Sequence, residues 1–377
     1  MSTGLIALLA CSDSESPSAD GGQTQADSGR GGSAAGAGAG GPATAAGAGS
    51  PAAGSSSAGR GGSSGAGVSG AGRGGAGGST ASDAGPTAGD AQQQGAGDGA
   101  AAQCTTCGDY AAPVLLANVQ VAELDALSGI AVSARNAGTL YAHNDRTSSA
   151  LFALGFDGQL RARYALSGVT TVDLEEVAVG PCPAGSCVFI ADIGGNIGAR
   201  NEYALLRAPE PDVSAASAAG AATPLAGLER FPFTYEDGMH NAEGILIDPD
   251  GGALYVVTKL AAGQASSVYA LPDPLAAAGN VARKVADLPV PRAGDSPATA
   301  TSAHPCGRGF LLRTNRQLYE FRIASGMPFT AAFAVDPIAL AAGDEPQSEA
   351  VSYLPDGSGF VSSGETAAAP IYRSLCR

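Results

Sequence analysis

The sequence predicts an all-β protein: a β-propeller of five four-stranded blades, with six blades as the alternative count, behind a disordered Gly/Ala/Ser-rich segment. Three observations predict it. A hairpin pattern returns five times after residue 125, as LSGIAVSARNAGTLYAHND, DLEEVAVGPCPAGSCVFIAD, NAEGILIDPDGGALYVVTK, PATATSAHPCGRGFLLRTN and QSEAVSYLPDGSGFVSSGE. Each copy is followed by a third apolar run, namely ALFAL, EYALL, SVYAL, QLYEF and PIYRSL. The first strand of each copy begins with small or acidic residues, whereas the second is almost continuously apolar. An isolated hairpin cannot bury such a strand, but copies stacked around an axis can.

Taken in chain order, residues 1–11 read as a truncated lipoprotein signal. The apolar run GLIALLA ends at Cys11, and Leu8-Leu9-Ala10-Cys11 resembles the bacterial lipobox, in which lipid is attached to the Cys. The basic start of an ordinary export signal is missing. Residues 12–103 are nearly all Gly, Ala and Ser and hold no aromatic residue, so they expose too little apolar surface to offset the entropy of ordering and read as a flexible tether. Residues 104–377 are expected to form the propeller domain. Its turns ARNAG, PDGG, CGRG and PDGSG carry the Gly, Asn and Asp that hairpins need. Fourth strands are expected at LRARYAL, ERFPFTY, ARKVADL and TAAFAV, and residues 112–121 are expected to supply the last one, beside Pro370–Leu375.

Composition narrows the partners. The formal net charge of −15 argues against nucleic acid and against a basic membrane patch. No segment reaches the ~18 apolar residues of a membrane span. Apart from Cys11 there are six cysteines, an even set that reads as disulfides in an exported domain. Cys182 and Cys187 flank a hairpin turn and are expected to pair. Cys104 and Cys107 are expected to pair locally, with half of a redox or zinc site as the alternative, and Cys306 with Cys376. The expected location is the bacterial cell envelope, anchored to the outer membrane through Cys11.

Function hangs on polar residues at the strand ends. Where the first strand begins, the aligned copies place Glu175, Glu243 and Glu349, with Ser128 and Thr299 in the other two. Where the second strand ends stand Asn144-Asp145, Asp192, Lys259, Asn315 and Glu365. In an antiparallel hairpin these positions share one face, so the carboxylates should converge around one mouth. They would repel one another unless protonated, paired or bound to a cation, with Lys259 and Arg313 offsetting part of the charge. The expected ligands are Asp145, Glu175, Asp192, Asn196, Glu243, Glu349 and Glu365, and Ca²⁺ is the expected ion because it takes six to eight oxygen ligands. His143, His240, Glu175 and Glu243 are weak catalytic candidates. No G-x-S-x-G elbow or P-loop occurs.

The stretches LSGIAVSARNAGTLYAHND, VDLEEVAVGP, IADIGGN, HNAEGILIDPDGGALYVVTK and SEAVSYLPDG resemble bacterial exported β-propellers grouped with esterase-like and phytase-like proteins. The resemblance implies a propeller and an acidic metal site. The chain departs from the family pattern at Leu174, where a Trp is usual, and at Gly195, where an Asp is usual. The resulting expectation is a lipid-anchored propeller that binds a protein, glycan or small-molecule ligand at an acidic rim loaded with calcium. The alternative is a metal-dependent phosphoesterase or esterase.

Overall fold

The computed structural model describes residues 104–377 except 146–147, 196–199, 214–220, 262 and 290–295. The chain divides after Asp90, and every described residue lies in the second unit. The signal expected at 1–11 and the tether at 12–103 lie outside the described residues.

A strand β1 (Val114–Asn118) precedes the first repeat, which forms β2 (Leu127–Val132), β3 (Thr139–Asn144), β4 (Ala150–Gly155) and β5 (Leu160–Ala165). The second repeat forms β6 (Leu174–Cys182), β7 (Gly185–Asp192) and β8 (Tyr203–Pro209), then a two-residue β9 (Thr223–Pro224) and β10 (Glu229–Tyr235). The third gives β11 (Ala242–Ile247), β12 (Leu254–Thr258), β13 (Ser267–Ala270) and β14 (Asn280–Asp287). The fourth gives β15 (Ala298–Ala303), β16 (Gly309–Thr314), β17 (Leu318–Arg322) and β18 (Ile338–Leu340). The fifth gives β19 (Ser348–Tyr353), β20 (Gly359–Gly364) and β21 (Pro370–Leu375). The segment TAAFAV, expected as a strand, instead belongs to a 3₁₀ helix, Phe329–Ala334, which buries Phe329, Ala332 and Phe333. Phe329 and Phe333 pack on Tyr255 and Phe310, a one-sided apolar spacing that a strand would have split between two faces.

The strands form four sheets. The five- or six-blade propeller expected from the repeat is therefore corrected, and strand pairing shows why. The end of β10 pairs in parallel with β14, Phe233 opposite Asn280 and Tyr235 opposite Ala282. That contact fuses the second and third repeats into one eight-stranded sheet, in the order β11-β12-β13-β14-β10-β8-β7-β6. Its terminal strands β6 and β11 pack against each other without a hydrogen-bonded ladder, so the sheet is nearly closed, like a barrel. The first repeat gains β9, parallel to β5, and becomes five-stranded. The third sheet runs β15-β16-β17-β18 and the fourth β1-β21-β20-β19. In the fourth, β1 lies antiparallel to β21, Val114 opposite Arg373, which covers the edge that the fifth repeat leaves open.

The first strands of the repeats pack side by side, β2 on β6, β6 on β11, β11 on β15, β15 on β19 and β19 on β2. No ladder joins them, so side chains satisfy the backbone between them. Ser128 Oγ donates to the Glu175 carbonyl at 3.0 Å, Thr301 Oγ1 to that of Ile245 at 3.0 Å, and Thr299 Oγ1 to that of Ser348 at 2.8 Å. In the other direction Val132 N–H donates to Ser352 Oγ and Tyr353 N–H to Ser302 Oγ, each at 3.0 Å. Such close approach explains the small residues in these strands. A Cβ on Gly129 would lie 2.7 Å from the Val177 nitrogen, and one on Gly244 would lie 2.6 Å from Thr301 Cγ2. One longer tie crosses the group: Thr301 N–H donates to Glu176 Oε2 at 2.9 Å, although β6 and β15 are not neighbours.

Among the described residues three disulfides are formed, which suits an oxidising compartment. Cys182–Cys187 closes the β6–β7 turn as expected. The other expected pairs are corrected to Cys104–Cys306 and Cys107–Cys376. The segment before β1 runs along the turns of the fourth and fifth repeats, Thr105 N–H donating to the Asp356 carbonyl at 2.7 Å, which brings each N-terminal Cys to a distant partner. Among the described residues no helix is long and apolar enough to cross a membrane.

Candidate functional site

The site begins with a bulge repeated in all five hairpins. In β6–β7, Leu174 pairs with Asp192 and Glu176 with Ala191, so Glu175 is an extra residue. Glu243 is the extra residue in β11–β12, Thr299 in β15–β16 and Glu349 in β19–β20. In β2–β3 both Ser128 and Gly129 stand opposite His143. A bulge bends its strand and re-aims the extra side chain. Four of the re-aimed residues, Ser128, Glu175, Glu243 and Glu349, line one cavity of about 330 Å³.

Asp145 and Glu365 reach the same cavity, together with Lys259, Asn315 and Gln347. Lys259 Nζ lies 2.9 Å from Glu243 Oε1. Asn315 Nδ2 donates to Glu349 Oε1 at 2.9 Å, and Gln347 Nε2 donates to Glu365 Oε2 at 3.0 Å. Gln347 holds φ at +43°, the left-handed region that a non-glycine residue rarely adopts, and its carbonyl accepts the Glu365 N–H.

At the wall of this cavity one group, which includes Asp173 outside its lining, is tight enough for an ion. One oxygen from each of Asp145, Asp173 and Glu175 lies within 4.8 Å of the others, and Asp173 and Glu175 are buried. Sequence reasoning missed Asp173, which stands just ahead of β6 in the DLEE stretch. The chain bends closely around the group: a Cβ on Gly194 would fall 2.0 Å from Glu175 Oε1 and 2.4 Å from Asp173 Oδ2.

Asp192, expected as a ligand, supports the group from behind. Its carboxylate accepts Val172 N–H at 3.1 Å and Asp173 N–H at 2.9 Å, and it pairs with Arg200 at 2.8 Å. Asn196 lies outside the described residues. Gly195 N–H donates to Asn241 Oδ1 at 2.7 Å, so this position faces the β10–β11 connection rather than the carboxylates. Arg313, expected to neutralise the mouth, is buried against Glu345 and Ser348 instead.

The two histidines do not join the carboxylates. His143 is fully buried, with Nδ1 2.9 Å from the Asn144 carbonyl, and burial lowers its pKa. His240 sits beside Tyr269 and Asp237, with Nε2 2.9 Å from both Tyr269 Oη and Asp237 Oδ1. A second group of metal-type side chains, Cys104, His304 and Cys306, is committed elsewhere, because its two sulfurs are bonded to each other.

Burial dominates the electrostatics of the cavity. Glu175 and Glu243 are held well above the ordinary carboxylate range by loss of solvent. For Glu175 the charges of Glu243, Asp173 and Asp145 add to this, and for Glu243 Lys259 opposes it. Burial, with the charge of Glu243, pushes Glu349 up to about 8 against the pull of Lys259. Burial alone would lower the Lys259 ammonium, but Glu243, Glu349 and Glu175 raise it. Carboxyls whose pKa is raised by burial suit a cation, which would let them ionise.

No family model matches the chain, and no curated protein matches it. The resemblance to esterase-like and phytase-like propellers is thus without support and is corrected. Among solved structures, hydrazine synthase of Kuenenia stuttgartiensis is similar at 15% identity and a TM-score of 0.35. The match covers 66% of this chain and 58% of that one, so this chain spans less than two thirds of the structure it matches. A likeness that distant carries no argument here. The calcium-loaded binding rim expected from the sequence is also corrected: of the expected residues only Asp145 and Glu175 gather in a compact group, with Asp173, beside a cavity, and its composition does not single out Ca²⁺.

Proposed function

We propose that the cavity is the active site of a metal-dependent hydrolase acting on phosphate or carboxylate esters. The observation that carries this reading is the Asp145, Asp173 and Glu175 group, whose oxygens lie within 4.8 Å of one another at the wall of an open cavity. Three hard oxygen donors suit Mg²⁺, Mn²⁺ or Ca²⁺. Such an ion would supply an activated water and polarise the ester oxygen. The chain's own residues supply the rest. Lys259 is the cation among the described lining residues and, paired with Glu243 at 2.9 Å, can turn toward an anionic ester group. Glu243 or Glu349, once ionised, can accept the proton of the attacking water. Asn315 and Gln347 orient Glu349 and Glu365.

The test is hydrolysis of p-nitrophenyl phosphate, bis-p-nitrophenyl phosphate and p-nitrophenyl acetate by the full chain with Mg²⁺, Mn²⁺ or Ca²⁺. Metal-dependent turnover, lost in Asp173→Asn and Glu175→Gln, is expected. Absence of turnover on all three esters with all three ions would overturn the reading.

We infer further that the domain works outside the cytoplasm, held at the bacterial envelope through lipid on Cys11. The three disulfides support an exported location. Incorporation of labelled palmitate, abolished by Cys11→Ser, is the expected result, and no label in the wild-type chain would sink the anchor.

A further inference from the structure

The strands that aim carboxylates into the acidic cavity also line a second chamber, and its chemistry is opposite. Each of these strands runs from one cavity to the other. Ser128 lines the acidic cavity and Ile130 the second chamber; the same holds for Glu175 and Val177, Glu243 and Ile245, and Glu349 and Val351. Between the two levels lies Glu176, whose carboxyl accepts the N–H groups of Val177 and Thr301. The second chamber has a volume of about 290 Å³, and no charged side chain lines it among the described residues. That is notable in a chain of net charge −15.

Its side-chain hydroxyls are already engaged. Ser186 Oγ donates to Glu210, Thr301 Oγ1 to the Ile245 carbonyl, and Ser352 Oγ to the Tyr353 carbonyl, while Ser302 Oγ accepts from Tyr353 N–H. An ion entering here would lose hydration and meet no opposite charge among the described lining residues, a cost that disfavours charged ligands. An apolar molecule meets no such penalty, and a dry cavity of about 150 Å³ already suffices for benzene. The rim is built from Pro181, Pro249, Pro305 and Pro355, one from each of four repeats, whose fixed φ makes it stiff. A preformed, stiff chamber without charged walls binds at little ordering cost to the protein.

We propose that this chamber is a binding site for an uncharged, largely apolar small molecule of one or two rings, separate from the acidic cavity and independent of the hydrolase reading. Indole and 1-naphthol are suitable probes. The chain has no Trp, so indole fluorescence reports the probe with little protein background. Saturable binding to the full chain is expected. Ala303→Phe, which adds a ring within the chamber, should weaken it at least tenfold. Ile245→Ala, which trims a core side chain at the chamber wall, should tighten 1-naphthol relative to indole. Glu175→Gln should leave both affinities within twofold, while it disables the acidic cavity. Thermal unfolding checks that each variant folds; if Ala303→Phe does not, the Ile245→Ala shift decides. Lack of saturable binding by either probe, or affinities that neither chamber variant moves, would overturn the proposal.

Discussion

Arg200 Nη2 donates to Asp192 Oδ1 at 2.8 Å, and both side chains are buried. Arg200 also donates to the carbonyls of Asp192 and Gly194, at 3.2 and 2.8 Å. The pair thus joins the two backbone segments that meet at the acidic group: the turn bearing Asp173 and Glu175, through Asp192, and the loop bearing Gly194.

Arg200→Met should therefore act twice. Removing one partner leaves a buried carboxylate uncompensated, at a cost of about 3–5 kcal/mol. It also frees the turn that places Asp173, and loss of such supporting contacts weakens metal sites by about 10–100-fold. Chemical denaturation and calorimetric titration with Mn²⁺ measure the two effects. In Arg200→Met/Asp192→Leu part of the stability should return, because no orphaned charge remains, but the cation affinity should not.

Gly194→Ala separates site from fold more cleanly. Its new methyl would have to occupy the space of Glu175 Oε1 and Asp173 Oδ2, at 2.0 and 2.4 Å, whereas one at Gly195 meets nothing closer than 3.2 Å. Cation binding by Gly194→Ala should fall at least tenfold, and Gly195→Ala should bind within a few-fold of wild type. Equal affinities in the two variants would show that the carboxylates are not held where the structure has them.

The acidic recurrence is readable in the sequence because Glu175, Glu243 and Glu349 occupy the same place in aligned copies. Asp173 is not, since its counterparts are Ala126, Asn241, Pro297 and Gln347, none of which carries a carboxylate. The repeat does not show the bulges either: an extra residue in a ladder is a property of the pairing, which two strands decide together. The sheet count failed for a related reason. The β10–β14 contact uses backbone edges, steadied by Asn280 Nδ2 donating to the Pro232 carbonyl at 2.8 Å, and every edge strand offers the same N–H and C=O groups. Cysteine pairing was readable only where a short turn forced it, at Cys182 and Cys187.

The buried carboxyls set a pH dependence. Glu349 rises to about 8 in the fold, above its ordinary value of 4.5. A folded pKa above the unfolded one means that the native state holds the proton more tightly. Its contribution is complete below pH 4.5 and drains away as pH climbs through 8. Glu175 and Glu243 shift in the same direction and add to the loss. In chelator, stability should fall between pH 5 and pH 9, on the order of a few kcal/mol. A saturating divalent cation should flatten that slope, because it takes the place of the protons and binds more tightly as they leave. Melting curves at five pH values, with and without Mn²⁺, provide the check. A slope that Mn²⁺ leaves unchanged would separate the carboxyl shifts from metal binding.

The N-terminal staples should matter more than the local bridge. Cys107–Cys376 and Cys104–Cys306 join positions 269 and 202 residues apart, while Cys182–Cys187 spans 5. With Cys104–Cys306 intact, the circuit closed by Cys107–Cys376 runs through that bridge and holds roughly 75 residues, for which loop closure contributes about 4 kcal/mol; a turn of about five residues contributes about 2 kcal/mol. The Cys107→Ala/Cys376→Ala chain should therefore unfold at clearly lower denaturant than Cys182→Ala/Cys187→Ala. The first pair also anchors the segment ahead of β1, the strand that covers the β21 edge, so its loss should raise hydrogen exchange along Pro370–Leu375. Peptide mapping without reductant checks the premise: fragments bearing Cys104 and Cys306 should elute joined. A joined Cys104–Cys107 fragment would return the pairing to the local one and remove the reason for the difference.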